Sequence, residues 1–283
     1  MKYIIISFCC SLIFISCARQ PLNVYSPHPI NTAVVKENGD VGVNVNYFSN
    51  GPRNIGEGAI HSNGIALQTR VATINNLFLE STINNLKENT KRDLILIGTR
   101  NDSVRYISAS NTAYNNLEIG VGKIFNLNTT KSSNLLLSAG YGKTNFKNNF
   151  TENEGGRIAN ADFYFNNKHI YLNTIFQLQS GIFMYQGGFK FNFTKFENII
   201  TNNTAIWGTE AQELKRSNSD FRSFVQFYQD FGIVPSKKSD WLSLHLNFAI
   251  NGRNNLNENF YARRLSVGFS VMASPSGLLK RKK

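Results

Sequence analysis

The chain has 283 residues, 41% of them hydrophobic, a formal net charge of +12 and three cysteines, Cys9, Cys10 and Cys17. Everything after Cys17 is therefore free of disulfides, of cysteine metal sites and of cysteine nucleophiles. In a soluble protein the basic excess would raise nucleic acid as a partner. Here it is spread through connections and the 280–283 tail and follows an export-type leader, so no nucleic-acid partner is expected. A basic rim that meets anionic lipid head groups is the better reading.

Residues 3–15 follow a short charged start and form an apolar run with the length of a signal-peptide core, too short for a spanning helix. The run ends in Phe14-Ile15-Ser16-Cys17, which resembles the lipobox of bacterial lipoproteins, with Phe14 where leucine is usual. The resemblance implies a signal peptide over 1–16 and a lipid on Cys17; the alternative is an ordinary signal peptide cut nearby. Ala18-Arg19-Gln20 lacks the acidic cluster that goes with surface export of such lipoproteins, so the anchor is expected to face the periplasm. Residues 17–40 read as an extended leader from anchor to barrel, since Pro27 and Pro29 oppose helix and central strand alike.

From residue 41 the pattern has a period of two, which places alternate side chains on opposite faces of a strand. Residues 41–48 set Val41, Val43, Val45 and Tyr47 against Gly42, Asn44 and Asn46. Further runs follow at 64–73, 76–83, 116–125 and 134–146, the last blurred by Leu136. The clearest hairpin is 169–195. Ile170, Leu172, Thr174, Phe176 and Leu178 share one face of its first strand, Phe183, Tyr185, Phe189, Phe191 and Phe193 one face of its second. Each run is close to the ~9–11 residues that cross a bilayer at a tilt. Residues 220–231 are ambiguous because Phe224 falls on the polar side. Residues 241–250 and 263–272 are clean.

The connections alternate: long at 49–63, 84–115, 147–168, 196–219 and 251–262, short at 74–75, 126–133, 180–181 and 232–240. That is the habit of an up-and-down barrel in an outer membrane, with short periplasmic turns and long outer loops. The fold class expected is all-β, an antiparallel up-and-down transmembrane β-barrel over 41–273. It has about ten strands, or twelve if 93–97 and 104–108 form a further pair around residues 100–103. A basic tail, 274–283, follows, and both termini are expected in the periplasm. The competing architecture is a soluble, lipid-anchored periplasmic barrel with its apolar face inward around an apolar ligand. Length, strand number and the polar face argue against it. That face carries Arg70, Glu118, Gln177, Arg222, Asp230, His245 and Arg264, which make sense as a hydrogen-bonded lumen network. Tyr47, Tyr141, Tyr171, Phe193, Trp241, Phe260 and Tyr261 read as interfacial girdles.

The lipobox, the leader with Tyr25 and Pro27, residues 36–40 (Lys-Glu-Asn-Gly-Asp) and the glycine-rich stretches 118–122 and 140–142 together resemble a family of uncharacterised outer-membrane β-barrel lipoproteins of Bacteroidota. The resemblance implies fold and compartment and brings no activity with it. The chain departs from the usual pattern in ending its last strand on Ala273 before a basic tail, where a terminal aromatic is common.

No residue constellation rises to an enzyme signature. His61, His169, Glu152, Glu154 and Asp162 sit where a rim-located hydrolase would keep its acid–base groups, but no spacing ties them together. His245 with Asp230 or Glu118 could form a buried pair. Gly120–Gly122 and Gly140–Gly142 lie within strands and make no phosphate loop. No metal ligand set or cofactor motif is present. The function expected is structural or partner-binding, with outer-membrane lipids and a protein of an outer-membrane complex as partners. A narrow solute channel and a rim hydrolase are the alternatives.

Overall fold

The structure, a computed structural model, describes residues 22–25, 29–50, 59–97, 103–130, 132–154, 156–216, 222–235, 241–252, 260–262 and 265–275. In chain order the strands are β1 (Leu22–Tyr25), β2 (Val41–Asn50), β3 (Ala59–Ala72), β4 (Leu77–Ile97), β5 (Ser103–Asn126), β6 (Ser133–Glu154) and β7 (Arg157–Ser180). Then come β8 (Phe183–Thr201), helix α1 (Thr204–Arg216), β9 (Arg222–Ile233), β10 (Leu242–Asn251), β11 (Phe260–Ala262) and β12 (Leu265–Ala273). Ten of the strands close into an antiparallel barrel in the order β10-β12-β2-β3-β4-β5-β6-β7-β8-β9, and β1 pairs with β11 in a separate two-stranded sheet. The wall closes where Ala273 pairs with Val43.

Both the first and the last wall strand meet the tight turns at one end, here the near end. A 3-10 turn over Ile74–Asn76 joins β3 to β4, and Gly181 and Ile182 join β7 to β8. Asn75 at φ 57° and Gly181 at φ 60° take the left-handed conformation such turns need.

The far end corrects the expected loop lengths. Residues 84–115 and 147–168 are mostly strand. The β4–β5 ladder runs unbroken from Leu77↔Lys123 to Ile97↔Ser103, so residues 93–97 and 104–108 lengthen two existing strands and the barrel has ten, not twelve. The β6–β7 ladder likewise continues to Glu154↔Arg157.

Along these long strands the two faces exchange polarity. On β4 the outward residues are Leu77, Leu79 and Ile83, then Asn85, Lys87, Asn89 and Lys91. On β6 they are Leu137 and Tyr141, then Lys143, Asn145, Lys147 and Asn149. On β6 and β7 the inward face does the reverse. Thr144 gives way to Phe146 and Phe150 on β6, and His169 and Asn167 give way to Phe165 and Phe163 towards the start of β7. Where lipid surrounds the wall, the apolar side chains face out. Where the wall rises into water, they turn in. The outward apolar stretch runs from Ile170 to Leu178 on β7, close to the ~9–11 residues of a tilted membrane strand, and on β5 it comprises Leu117, Ile119, Val121 and Phe125, with Lys123 the outward charge among them. Leu67, Phe189, Leu246 and Phe269 continue the belt around the barrel. The barrel thus spans a membrane, and the reading with an inward apolar face is overturned. Among the described residues no helix is long and apolar enough to cross a membrane; the crossing is made by strands.

Above the bilayer, β4–β8 form an overhang whose inner face α1 covers. Asn203 caps that helix, its Oδ1 accepting from the N–H of Ala205 at 3.1 Å and of Ile206 at 3.3 Å. Ile206, Trp207, Ala211 and Leu214 are its buried face, packed with Tyr114, Phe146, Phe163 and Phe196 in one cluster. Trp207 stands edge-on to Phe150, ring centroids 5.3 Å apart. The loop expected over 196–219 thus contains a helix, whose 207, 211, 214 spacing is its sequence signal.

Candidate functional site

The lumen holds the chemically active side chains, and its most prominent occupant is the chain's own leader. Residues 29–35 run inside the barrel, all of them buried. An extended segment with no sheet neighbour must find other partners for its backbone. Wall side chains supply them. Gln68 Nε2 donates to the carbonyls of Pro29 at 2.9 Å and Ile30 at 3.0 Å. Arg70 donates to Asn31 O at 2.5 Å and Ala33 O at 3.2 Å, and Gln186 Nε2 to Thr32 O at 2.9 Å. In return the Thr32 N–H donates to Gln68 Oε1 at 3.1 Å, and Asn31 Nδ2 donates to the wall carbonyls of Thr69 and Ser81. Gly42 makes the passage: a Cβ there would stand 2.5 Å from Val34 O. The tether expected to reach the barrel from outside is, over these residues, the filling of its lumen.

Around the leader the inward charges pair. Arg70 Nε donates to Glu80 Oε2 at 3.0 Å, and Tyr171 OH and Ser138 Oγ donate to Glu80 Oε1 at 3.0 and 2.7 Å. Glu118 accepts from Lys190 Nζ at 2.6 and 2.7 Å and is hydrogen-bonded to His169 Nε2 at 2.9 Å. Lys190 also stands 4.6 Å over the Tyr171 ring, which joins the two groups. Gly142 leaves the room that the His169 ring occupies. On the opposite wall His245 Nδ1 is hydrogen-bonded to Asp230 Oδ2 at 3.0 Å, and Ser243 Oγ to His245 Nε2 at 2.7 Å. Gln177 Nε2 donates to Gln186 Oε1 at 2.9 Å, and Gln186 Nε2 to Asp230 Oδ2 at 3.3 Å.

Of the lumen residues singled out in the sequence, Arg70, Glu118, Gln177, Asp230 and His245 are buried inside, and Arg222 is half-buried at the start of β9. Arg264 and Cys17 lie outside the described residues, as do the side chains of His61, Phe260 and Tyr261. Two placements differ from expectation. His169 is not at the rim but within the lumen, because β7 begins twelve residues earlier, at Arg157. Tyr171, read as a girdle aromatic, faces inward at 2% exposure, whereas Tyr47 and Tyr141 face outward. Glu80, Lys190, Gln68 and Gln186 complete the network. Arg70 and Glu80 are register partners about the tight turn, so hairpin symmetry was the available signal. No local pattern pairs Glu118 with Lys190 across the barrel.

Ser243, His245 and Asp230 form a hydroxyl–imidazole–carboxylate chain, the arrangement that activates a nucleophile. Here all three are enclosed in the lumen wall, with Ser243 4% exposed. Among the described residues no group of three or more His, Cys, Asp or Glu side chains is placed to hold a metal. Glu152 and Asp162 lie on the overhang, where Asp162 takes hydrogen bonds from Asn149 and Asn202.

No protein-family model matches the chain, and no curated protein matches it in sequence. Solved structures with a similar shape include the translocator domain of autotransporter NalP from Neisseria meningitidis, 10% identical over 84% of this chain and 89% of that one, TM-score 0.46. The transport unit of autotransporter AIDA-I from Escherichia coli is 8% identical over 88% of this chain and 92% of that one, TM-score 0.37. Ail, the attachment invasion locus protein of Yersinia pestis, is 8% identical over 84% and 98%, TM-score 0.28. Likeness this faint transfers no activity, partner or site.

Proposed function

We propose that the chain is an outer-membrane barrel lipoprotein whose role is structural or partner-binding, exercised by the surface it raises above the membrane. The observation that carries this reading is a lumen filled along its length. Ile30 and Val35 of the leader join Phe78, Ile124, Leu136 and Ile175 in an apolar cluster. The leader and the charge network occupy the middle, and the aromatic cluster under α1 occupies the far end. A barrel of ten strands is narrow to begin with, since open aqueous channels come with about sixteen. The apolar belt and the signal-like start support the outer-membrane location. Lys143, Lys168 and Lys195, register neighbours on β6, β7 and β8 just above the belt, suit the anionic head groups of an outer leaflet. The overhang, polar outside and rigid inside, is the surface offered to a partner.

The test is a photo-crosslinking residue placed at Asn149 or Asn166 on the overhang, compared with one at Leu172 in the belt, together with current recording in planar bilayers. A discrete protein adduct from the overhang alone, with no current from the full chain, supports the reading. Reproducible current steps with lipid adducts only would replace it with the narrow channel.

A further inference from the structure

We propose that the leader is threaded through the barrel, so that the chain before Leu22 emerges at the far end, on the opposite side of the membrane from the C-terminal strand's end; under the outer-membrane reading that side is the cell surface. The leader starts its passage at the near end, where Gly39 N donates to Ala72 O at 3.0 Å and Ala72 N to Asp40 O at 2.8 Å. Read backwards from there, the leader climbs. Val34 lies beside Gly42, and Thr32 lies between Gln68 and Asn44. The carbonyls of Pro29 and Ile30 are held by Gln68 as well.

β1 then appears at the other mouth. Its partner β11 belongs to the connection between β10 and β12, and that connection is closed at the far end by Ile250↔Leu265. Leu22 pairs with Phe260 and Asn23 with Tyr261. The direction of β1 agrees. β11 leads into β12, which descends from the far end, and β1 pairs with β11 in parallel. The leader therefore descends as well. A leader that approached from the near side and only touched the wall would not reach β11.

One consequence of the proposal concerns the anchor: with Cys17 only five residues before Leu22, a lipid there would have at most ~18 Å of chain to the far mouth, and threading would carry it to the far leaflet instead of the periplasmic one.

The experiment places one epitope per variant, after Gln20, at Gly156 on the far end or at Asn128 on the near end, and measures antibody binding to intact and permeabilised cells. Threading predicts that the Gln20 epitope behaves like the Gly156 epitope and is bound on intact cells, while the Asn128 epitope needs permeabilisation. A Gln20 epitope that follows Asn128 overturns it. Should the Gly156 epitope also stay hidden on intact cells, the outer-membrane orientation fails, and threading is decided by a second variant. Asn23→Cys with Tyr261→Cys forms a disulfide in the unheated barrel if the leader is threaded. Two free thiols in that folded barrel overturn the proposal.

Discussion

At the scale of single residues, the lumen is held by charges that cannot be removed one at a time. Glu118 is the acceptor for both Lys190 and His169, all three buried. Glu118→Gln takes from the Lys190 ammonium the carboxylate it meets at 2.6 Å, and breaking a buried pair this way costs ~3–5 kcal/mol. Urea unfolding in lipid should show that loss. Glu118→Gln combined with Lys190→Met should lose less than Glu118→Gln alone, because the buried ammonium is removed together with its carboxylate. Equal or additive losses would mean that the pair is not coupled. Gly42 is a sharper probe of the leader. A Cβ there would stand 2.5 Å from Val34 O and 2.9 Å from Val34 N, backbone atoms that cannot swing aside. Gly42→Val should expel the leader and expose Lys36 to trypsin while the barrel keeps its heat-modifiable mobility on a gel. Unchanged protection at Lys36 would show that the passage is wider than this. These contacts were only partly legible in the sequence. The alternation of residues 41–48 put Gly42, Asn44 and Asn46 on the polar face, and the prolines kept the leader extended. That the two meet depends on a barrel closing around the segment, which no local pattern encodes.

At the scale of elements, the strands were recognised where lipid makes the rule simple and missed where it does not. An apolar-out pattern runs along β4 only to Ile83. Beyond it Asn85, Lys87 and Asn89 face out while Leu86 and then the polar Glu88 and Thr90 face in, so no continuous apolar face marks the rest of the strand. Of the two blurred spots, Leu136 faces inward into the apolar cluster with Phe78, Ile124 and Ile175 near the tight turns, and Phe224 is fully buried on the inward face of β9. Helix α1 lies in a stretch expected as loop because its 207, 211, 214 apolar spacing is short and set among polar residues and Gly208, and Phe150 and Phe163, against which Trp207 packs, are distant in sequence. Its stability is therefore borrowed from the overhang. Asn203→Ala should raise amide exchange across the helix by an opening free energy lower by about 1 kcal/mol. Trp207→Ala should do so by ~3–5 kcal/mol. In both, the strand amides of the membrane belt should exchange as before. If the belt amides loosen too, the helix is part of the barrel's cooperative core rather than a cover on it.

At the scale of the whole molecule, the chain is a membrane barrel filled by its own leader and faced outward with opposite polarities below and above one plane. Strand parity, the hairpin at residues 169–195 and the position of the short turns were readable in advance, because each rests on period-two alternation and turn residues. The contents of the lumen and the height of the wall were not, because both depend on which strands come to face each other. The measurement that tests this picture most directly is a spin-label scan of outward positions on β7 in lipid vesicles, with Asn173 as an inward reference. Labels at 170, 172, 176 and 178 should collide with oxygen and not with a water-soluble nickel chelate. Labels at 162, 164, 166 and 168 should do the opposite, and the label at 173 should be shielded from both. Nickel access at 173 would show an open aqueous lumen. Nickel access along 170–178 would show that the apolar face is not in lipid. Either result would contradict the account.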